Sequence, residues 1–261
     1  MKKAVVYAVM ALVLLPAAWA EGGADYPGTQ KGTAWYDRQP APATQTPAPA
    51  TQTPAPATQT PAPATQDGGQ NQQNAPNTNV SSGWDINAVD TARSAAYLSD
   101  LEKDIILEMN MARSNPGKYA EMYINPNQGA AARECYTELR KSKSIPVLLP
   151  KRGLSQAAKD HVLDIGPKGI TDHTGSNGSS MGDRINRYGT WRSGASENIS
   201  FGYNTAREIV LQLLIDDGVQ NRGHRKNIMD GKTRFVGVAA GAHSRYRFMC
   251  VQDFAHDYTD K

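Results

Sequence analysis

The chain lacks most of the features that assign a function quickly. Its formal net charge is only +3 over 261 residues, and it has no dense run of Lys and Arg that would argue for nucleic-acid binding. Beyond the first twenty residues, no segment is long and apolar enough to cross a bilayer. The His-Glu-x-x-His motif of zinc proteases is absent. Composition therefore disfavours nucleic-acid binding and membrane spanning.

The first twenty residues have the pattern of a secretory signal peptide. Lys2 and Lys3 precede an apolar stretch, and Ala18-Trp19-Ala20 supplies the small residues of a cleavage site. We predict cleavage after Ala20, with an uncleaved anchor as the alternative. No cysteine lies directly after the apolar stretch, where a bacterial lipid anchor would be attached. We therefore expect an exported protein, either secreted, periplasmic or at the cell surface.

Cysteine is scarce, since only Cys135 and Cys250 occur. Neither has the spacing of a metal-ligating motif. An even number of cysteines in an oxidising compartment favours one disulfide, which would close a loop of about 115 residues and contribute roughly 4–5 kcal/mol. The alternative is a pair of buried free thiols.

A repeat separates the N-terminus from the rest of the chain. Residues 40–67 repeat the unit Pro-Ala-Pro-Ala-Thr-Gln-Thr, with Asp67 in place of the last Thr. Such a segment has no large apolar side chain to bury, so it cannot offset the entropy lost on ordering. We predict a signal peptide over residues 1–20, a disordered region over 21–94 and one folded domain over 95–261.

The domain combines helical and strand patterns. A capping box at Ser99–Glu102 opens a helix that ends at Asn115, before a proline. Pro116 opens a second short helix through Tyr123, and a third helix is predicted over Leu154–Ile165. A further helix opens at Thr205. Strand-forming residues predict a strand at Ile199–Tyr203 and a hairpin of Phe235–Ala242 with Tyr246–Phe254. Together these elements indicate an α+β or layered α/β/α domain.

Three polar clusters carry most of the chemistry. His173 lies in Thr171–Gly175 and His224 lies in Asn221–Arg225, and both segments contain glycine. Between them Glu197 precedes an apolar run. Three segments that each offer one ionisable side chain beside turn residues can converge on a single cleft.

The order of these motifs resembles the CAP superfamily, named for cysteine-rich secretory proteins, antigen 5 and pathogenesis-related proteins and also called the SCP domain. The likeness is closest to its bacterial, cysteine-poor branch and covers residues from about 98 to 256. It rests on five segments in order: Ile105–Arg113, His173-Thr174-Gly175, Glu197-Asn198-Ile199, Gly223–Ile228 and Cys250–Phe254.

The resemblance implies a three-layer α-β-α sandwich with a central cleft lined by two histidines and two acids. His173 and His224 match the histidines, and Glu197 matches the acid that follows glycine in the family, where Ser196 stands here. The second acid usually precedes the second histidine. Asp216 or Asp217 would fill that position with a shorter side chain.

The residues themselves allow two interpretations of this cleft. Neutral imidazoles are metal ligands, and carboxylates orient them by accepting the other ring N–H. His173 and His224 would then hold an exchangeable divalent cation such as zinc, with water completing the shell. The alternative is a structural network in which acid–histidine hydrogen bonds hold loops together.

The resemblance favours a non-catalytic extracellular binding module for a lipid, sterol, glycan or protein. A secreted hydrolase that uses the same cleft is the alternative. It would need an activated nucleophile, and Ser196, Ser200 and Thr174 are nearby, but none lies in a Gly-x-Ser-x-Gly elbow. A third possibility is a structural surface protein that the repeat presents.

Overall fold

A computed structural model describes residues 80–81 and 83–261 of the chain. The predicted signal peptide and the repeat lie outside the described residues. The elements, in chain order, are β1 (Val80–Ser81), β2 (Trp84–Asp85), α1 (Ile86–Val89), α2 (Asp100–Ser114), α3 (Pro116–Tyr123), α4 (Ala130–Lys141), β3 (Leu149–Pro150), α5 (Arg152–Ile165), α6 (Met181–Tyr188), β4 (Gly189–Phe201), α7 (Ala206–Ile215), α8 (Gly223–Ile228), β5 (Phe235–His243) and β6 (Arg247–Asp260).

Four strands form the central sheet, in the order β3-β5-β6-β4. The predicted hairpin is present as β5 and β6, which pair antiparallel from Phe235↔Ala255 to His243↔Arg247. Strand β4 pairs antiparallel with β6 and forms one edge of the sheet, while the short β3 is parallel to β5 at the other. Strand β4 begins at Gly189, ten residues before the predicted start at Ile199.

Helices cover both faces of this sheet. Successive strand residues point to opposite faces, so Val236 and Val238 pack into the core under α2 and α7, whereas Ala239 packs with Ala158 and Val162 of α5. The two faces therefore bury separate apolar clusters. The fold is the α-β-α sandwich expected from the family resemblance.

Local sequence signals set the helix ends. Ser99 caps α2 by accepting from the Glu102 N–H, and the Glu102 carboxylate accepts from the Ser99 N–H at 2.7 Å. Asn115 ends α2, and its side chain caps α3. Helices α4 and α6 were not predicted, although Ser180 and Asp183 form a second capping box at the start of α6.

The packed structure includes residues that precede position 95. Trp84 is buried, and its indole N–H donates to the Met111 carbonyl oxygen at 2.9 Å. Val89 and Ala92 belong to the same core. Among the described residues, no helix is long and apolar enough to cross a membrane.

The predicted disulfide is wrong, because Cys135 and Cys250 are both free and buried. Cys135 lies on α4, whereas Cys250 lies on β6. Burial raises the pKa of the Cys135 thiol to about 12, although the nearby charge of Arg225 acts to lower it. Burial also raises the pKa of the Cys250 thiol, and the nearby charge of Glu102 acts in the same direction. Each thiol is a small apolar group within the core rather than half of a crosslink.

Candidate functional site

The first predicted histidine is held by the predicted acid. His173 lies in the loop before α6, and its Nδ1–H donates to Glu197 Oε1 at 2.8 Å. The His173 side chain is 41% exposed, whereas the Glu197 side chain is 3% exposed. The pair therefore places an open imidazole on a buried carboxylate.

An arginine that sequence reasoning missed completes this pair. Arg184 of α6 is buried and donates to Glu197 Oε2 at 2.6 Å and to the His173 carbonyl oxygen at 3.1 Å. Burial acts to raise the pKa of Glu197, but the hydrogen bond from His173 and the charge of Arg184 outweigh it and lower that pKa to about 2. Glu197 is therefore ionised wherever the protein is folded near neutral pH.

The second predicted histidine is held in the same way by Asp216. His224 Nδ1–H donates to Asp216 Oδ1 at 2.7 Å, and the His224 backbone N–H donates to Oδ2 at 2.9 Å. Asp216 ends α7 in the left-handed conformation, with φ of 55°. Asp217 is exposed and makes no hydrogen bond within the described part of the chain. Asp216, rather than Asp217, is therefore the acid that contacts the second histidine.

Two asparagines connect the pairs. Asn198, the residue after Glu197, donates to the His224 carbonyl oxygen at 3.2 Å, and Asn227 donates to Asn198 Oδ1 at 2.8 Å. Asn227 also reaches the Glu197 carbonyl oxygen at 3.5 Å. Helix α8 is thus tied to the stretch of β4 that carries Glu197.

The two pairs lie on opposite faces of the sheet. Glu197 shares its face with Ile199, which packs under α5, whereas Asn198 points toward α8. Strand β4 is an edge strand, so groups from either face of the sheet can reach its free edge. A cleft that contains both pairs would straddle this edge.

Further buried polar groups surround Glu197, and one of them, Asp253, was not predicted from the sequence. Asp253 is its direct partner across β4 and β6 and is fully buried. His161 of α5 is also buried, and its Nε2–H donates to the Asp172 carbonyl oxygen at 2.9 Å. An acid inside the apolar segment Cys250–Phe254 was the available signal for Asp253.

The residues fit a weakly held cation better than a closed metal centre. In each imidazole the Nδ1–H donates to a carboxylate, and Nε2 makes no hydrogen bond within residues 83–261. Nε2 is therefore the atom that each ring could offer to a metal ion. No group of three or more His, Cys, Asp and Glu side chains in the described region has the arrangement of a metal site. His173 and His224 alone would leave several positions of an ion to water.

Comparisons with known proteins bear on the whole domain. The model of the cysteine-rich secretory protein family, CAP, matches residues 134–254. An outer surface protein from Borrelia burgdorferi is 20% identical, with 47% of this chain and 86% of that chain covered and a TM-score of 0.38. An extracellular protein containing an SCP domain from Bacillus anthracis str. Ames is 23% identical, with 43% of this chain and 35% of that chain covered and a TM-score of 0.32. No curated protein matches the chain.

The family match extends from within α4 to within β6. It contains both histidines and both carboxylates that hold them, and it contains the four segments of the expected motif order that lie after position 134. On that match, residues 134–254 of the chain carry a CAP domain.

Proposed function

We propose that this chain is an exported, non-catalytic binding protein whose CAP domain binds an extracellular lipid, sterol, glycan or protein at the β4 edge. Export rests on the signal-peptide pattern of residues 1–20. The observation that carries the binding proposal is the repeated arrangement at this edge, in which a buried carboxylate fixes Nδ1 of a more exposed histidine.

A divalent cation such as zinc is the proposed first ligand of the cleft. Carboxylate–histidine pairs raise the basicity of the imidazole and orient its second nitrogen, as in many metal sites. His173 and His224 would hold the ion, with Glu197 and Asp216 orienting them. A bound cation would supply open coordination positions for an oxygen atom of a larger ligand.

Zinc titration of the metal-free full-length chain tests this proposal. We expect calorimetric binding of one ion per chain and a rise in melting temperature. His173→Ala and His224→Ala should each weaken binding at least about tenfold, the size of effect seen when metal sites are perturbed.

His256→Ala is the matched control. His256, on β6, is also held by a carboxylate, Asp230 at 2.8 Å, but it is hydrogen-bonded to neither pair. Its replacement should leave zinc binding unchanged. Absence of heat and stabilisation in the wild type, or an equal loss in His256→Ala, would refute a cation site formed by His173 and His224.

The hydrolase alternative has no supporting contact. In residues 83–261 no hydroxyl or thiol is hydrogen-bonded to His173 or His224, and Ser200 is bonded to Gln212 of α7 instead. The segment Gly178–Gly182 does match Gly-x-Ser-x-Gly. Its central Ser180, however, caps α6 and donates to Asp183 at 2.7 Å, and a turn rather than a strand leads into it.

The repeat and the cleft can be tested separately. If the cleft carries the binding activity and the repeat presents the domain, deleting residues 39–79 should leave the zinc titration unchanged. The same deletion should reduce exposure of the domain to antibody on intact cells. Loss of zinc binding in the deletion would contradict this division of roles.

A further inference from the structure

A fully buried acid lies beneath the first carboxylate–histidine pair. Asp253 is central in β6, where Glu197 of β4 is its partner on one side and Gly237 of β5 is its partner on the other. Cross-strand partners share a face of the sheet, so Asp253 points toward α5 and α6 together with Glu197.

The close approach of α5 explains this burial. A Cβ on Gly237 would lie 2.1 Å from the Leu154 carbonyl carbon and 2.2 Å from the Ser155 nitrogen. The α5 backbone therefore rests directly on β5 and covers the neighbouring position on β6. Asp253 is 0% exposed, and neither of its carboxyl oxygens has a hydrogen-bond donor among the described residues.

The surrounding groups cannot support two charged carboxylates. The charged or titratable groups around Glu197 and Asp253 are Arg184 from α6, His161 from α5, His173 from the loop and Tyr258 of β6 itself, and β5 contributes only Gly237. The buried Tyr258 hydroxyl is hydrogen-bonded to no described residue. Arg184 and His173 already donate to Glu197. An ionised Asp253 would be a buried charge without a partner, which costs far more than a neutral acid.

A proton on Asp253 would remove the repulsion between the Asp253 and Glu197 carboxyl groups. Two carboxylates cannot donate to each other, but a carboxylic acid can donate its O–H to an adjacent carboxylate. Burial, followed by the neighbouring charge of Glu197, raises the pKa of Asp253 well above its usual value, whereas the hydrogen bonds from Arg184 and His173 stabilise the charged form of Glu197. The two neighbours are therefore driven to opposite protonation states, as in acid–carboxylate pairs that share one proton.

We propose that Asp253 is a positioning residue that stays a neutral carboxylic acid and donates a hydrogen bond to Glu197, so that Glu197 holds His173 in a fixed orientation. The importance of that orientation rests on the proposed function, but the protonation state and the hydrogen bond do not. Their test needs no ligand, so the two proposals can fail separately.

Two variants separate the hydrogen bond from the shape of the side chain. Asp253→Asn keeps a neutral donor of the same size, whereas Asp253→Leu keeps a similar shape without a donor. Asp257→Asn, on the exposed side of the same strand, is the matched control. Infrared spectra of the full chain at neutral pH should show a protonated-carboxyl C=O band in the wild type and in Asp257→Asn, and no such band in Asp253→Asn.

Carbon NMR of the Glu197 carboxyl provides the readout of positioning. A donor to a carboxylate favours its charged form, so the Glu197 pKa should stay low in Asp253→Asn and rise by about one unit in Asp253→Leu. If Asp253→Leu does not fold, the infrared band and the Asp253→Asn titration still test whether Asp253 is protonated and donates to Glu197. An absent wild-type band, or a Glu197 pKa that changes in Asp253→Asn, would overturn the proposal.

Thermal melting against pH gives an independent check. An acid with a raised pKa in the folded state binds a proton that the unfolded chain releases, so its presence costs stability as pH rises above its ordinary value of 3.8. The melting temperature of Asp253→Asn should therefore exceed that of the wild type by an amount that grows as pH rises from about 4 to 7. A difference in melting temperature that does not vary with pH would show that Asp253 is already ionised in the folded protein.

Discussion

The carboxylate of Asp216 binds His224 twice, at the ring through Oδ1 at 2.7 Å and at the backbone N–H through Oδ2 at 2.9 Å. Asp216 also ends α7 in a left-handed conformation, which Asp and Asn adopt more readily than other residues with side chains. One residue therefore ends a helix and fixes both the position and the ring orientation of a histidine.

Asp216→Asn should weaken the zinc site without unfolding the domain. Asparagine keeps the left-handed cap, but its amide nitrogen replaces one of the two carboxylate oxygens, so one of the two His224 donors loses its acceptor. We expect a 10- to 100-fold loss of zinc affinity, as is typical when the residue that orients a metal ligand is changed. Asp217→Asn, one position along the chain and exposed, should match the wild type. Equal losses in the two variants would contradict this role for Asp216.

Glu197→Gln should destabilise the domain strongly at neutral pH. The change leaves Arg184, whose side chain is 2% exposed, as a buried cation without a carboxylate partner. Breaking such a pair costs about 3–5 kcal/mol, measurable by urea denaturation. The control is Asp104→Asn, which removes a half-exposed pair with Arg93 and should cost less than about 1 kcal/mol. Similar costs for both variants would argue against a buried ion pair.

Glu197→Gln should also change how the stability of the folded protein depends on pH in the acid range. The pKa of Glu197 is lowered from 4.5 to about 2, so its contribution is fully present above pH 4.5 and is lost as pH falls toward 2. The stability difference between wild type and Glu197→Gln should therefore shrink by roughly 3 kcal/mol across this range. Denaturation midpoints measured at several pH values check this. A difference that stays constant would mean that Glu197 titrates normally.

Gly237→Ala should prevent normal packing of α5 on the sheet. Its Cβ would overlap the Leu154 and Ser155 backbone, which cannot move without shifting the helix. We expect a loss of several kcal/mol or failure to fold, seen as a lower melting temperature or insoluble expression. Gly117→Ala is the control, because the nearest atom to its Cβ would be 3.8 Å away. It should be neutral or slightly stabilising, since alanine favours helices.

The two thiols provide a direct test of the cysteine assignment. Cys135 and Cys250 are buried and free, and burial raises the pKa of both thiols. The folded chain should therefore react slowly with a thiol reagent, and the chain unfolded without reductant should react at two sites. Absence of reactive thiols after unfolding, with a mass gain on reduction, would instead indicate a disulfide.

Local signals of different kinds predicted α2 and α5: a capping box located α2, and apolar residues at helical spacing located α5, which has no side-chain cap. The helix opened by Ser99 is observed from Asp100, and the helix predicted over Leu154–Ile165 is observed from Arg152. Helix α4 has glycine at its N-cap position and no side-chain cap, and α6 was not predicted although Ser180 caps it. The first half of β4 is interrupted by a bulge at Ser193 and Gly194, which hid its strand pattern.

The sequence singled out the residues of the candidate cleft but not the contacts between them. His173, Glu197 and His224 stand in polar clusters that single them out, and the helix end marked Asp216 and Asp217 as alternatives. Only the left-handed turn at Asp216 decides between those two acids. Arg184 and Asp253 are brought to Glu197 by helix packing and strand register, which are long-range relationships that no local pattern encodes.

Glu197 and Asn198 point to opposite faces of the sheet, so the contacts of both residues depend on the register of β4 on β6. Moving β4 by one residue along β6 would exchange the two faces, so that Glu197 would leave Arg184 and His173 while Asn198 left α8. The bulge at Ser193–Gly194 already accommodates extra chain before this point. Length changes on the N-terminal side of the bulge can therefore be absorbed, whereas a single insertion after Ala195 would separate Glu197 from His173 and Asn198 from the His224 carbonyl oxygen at once.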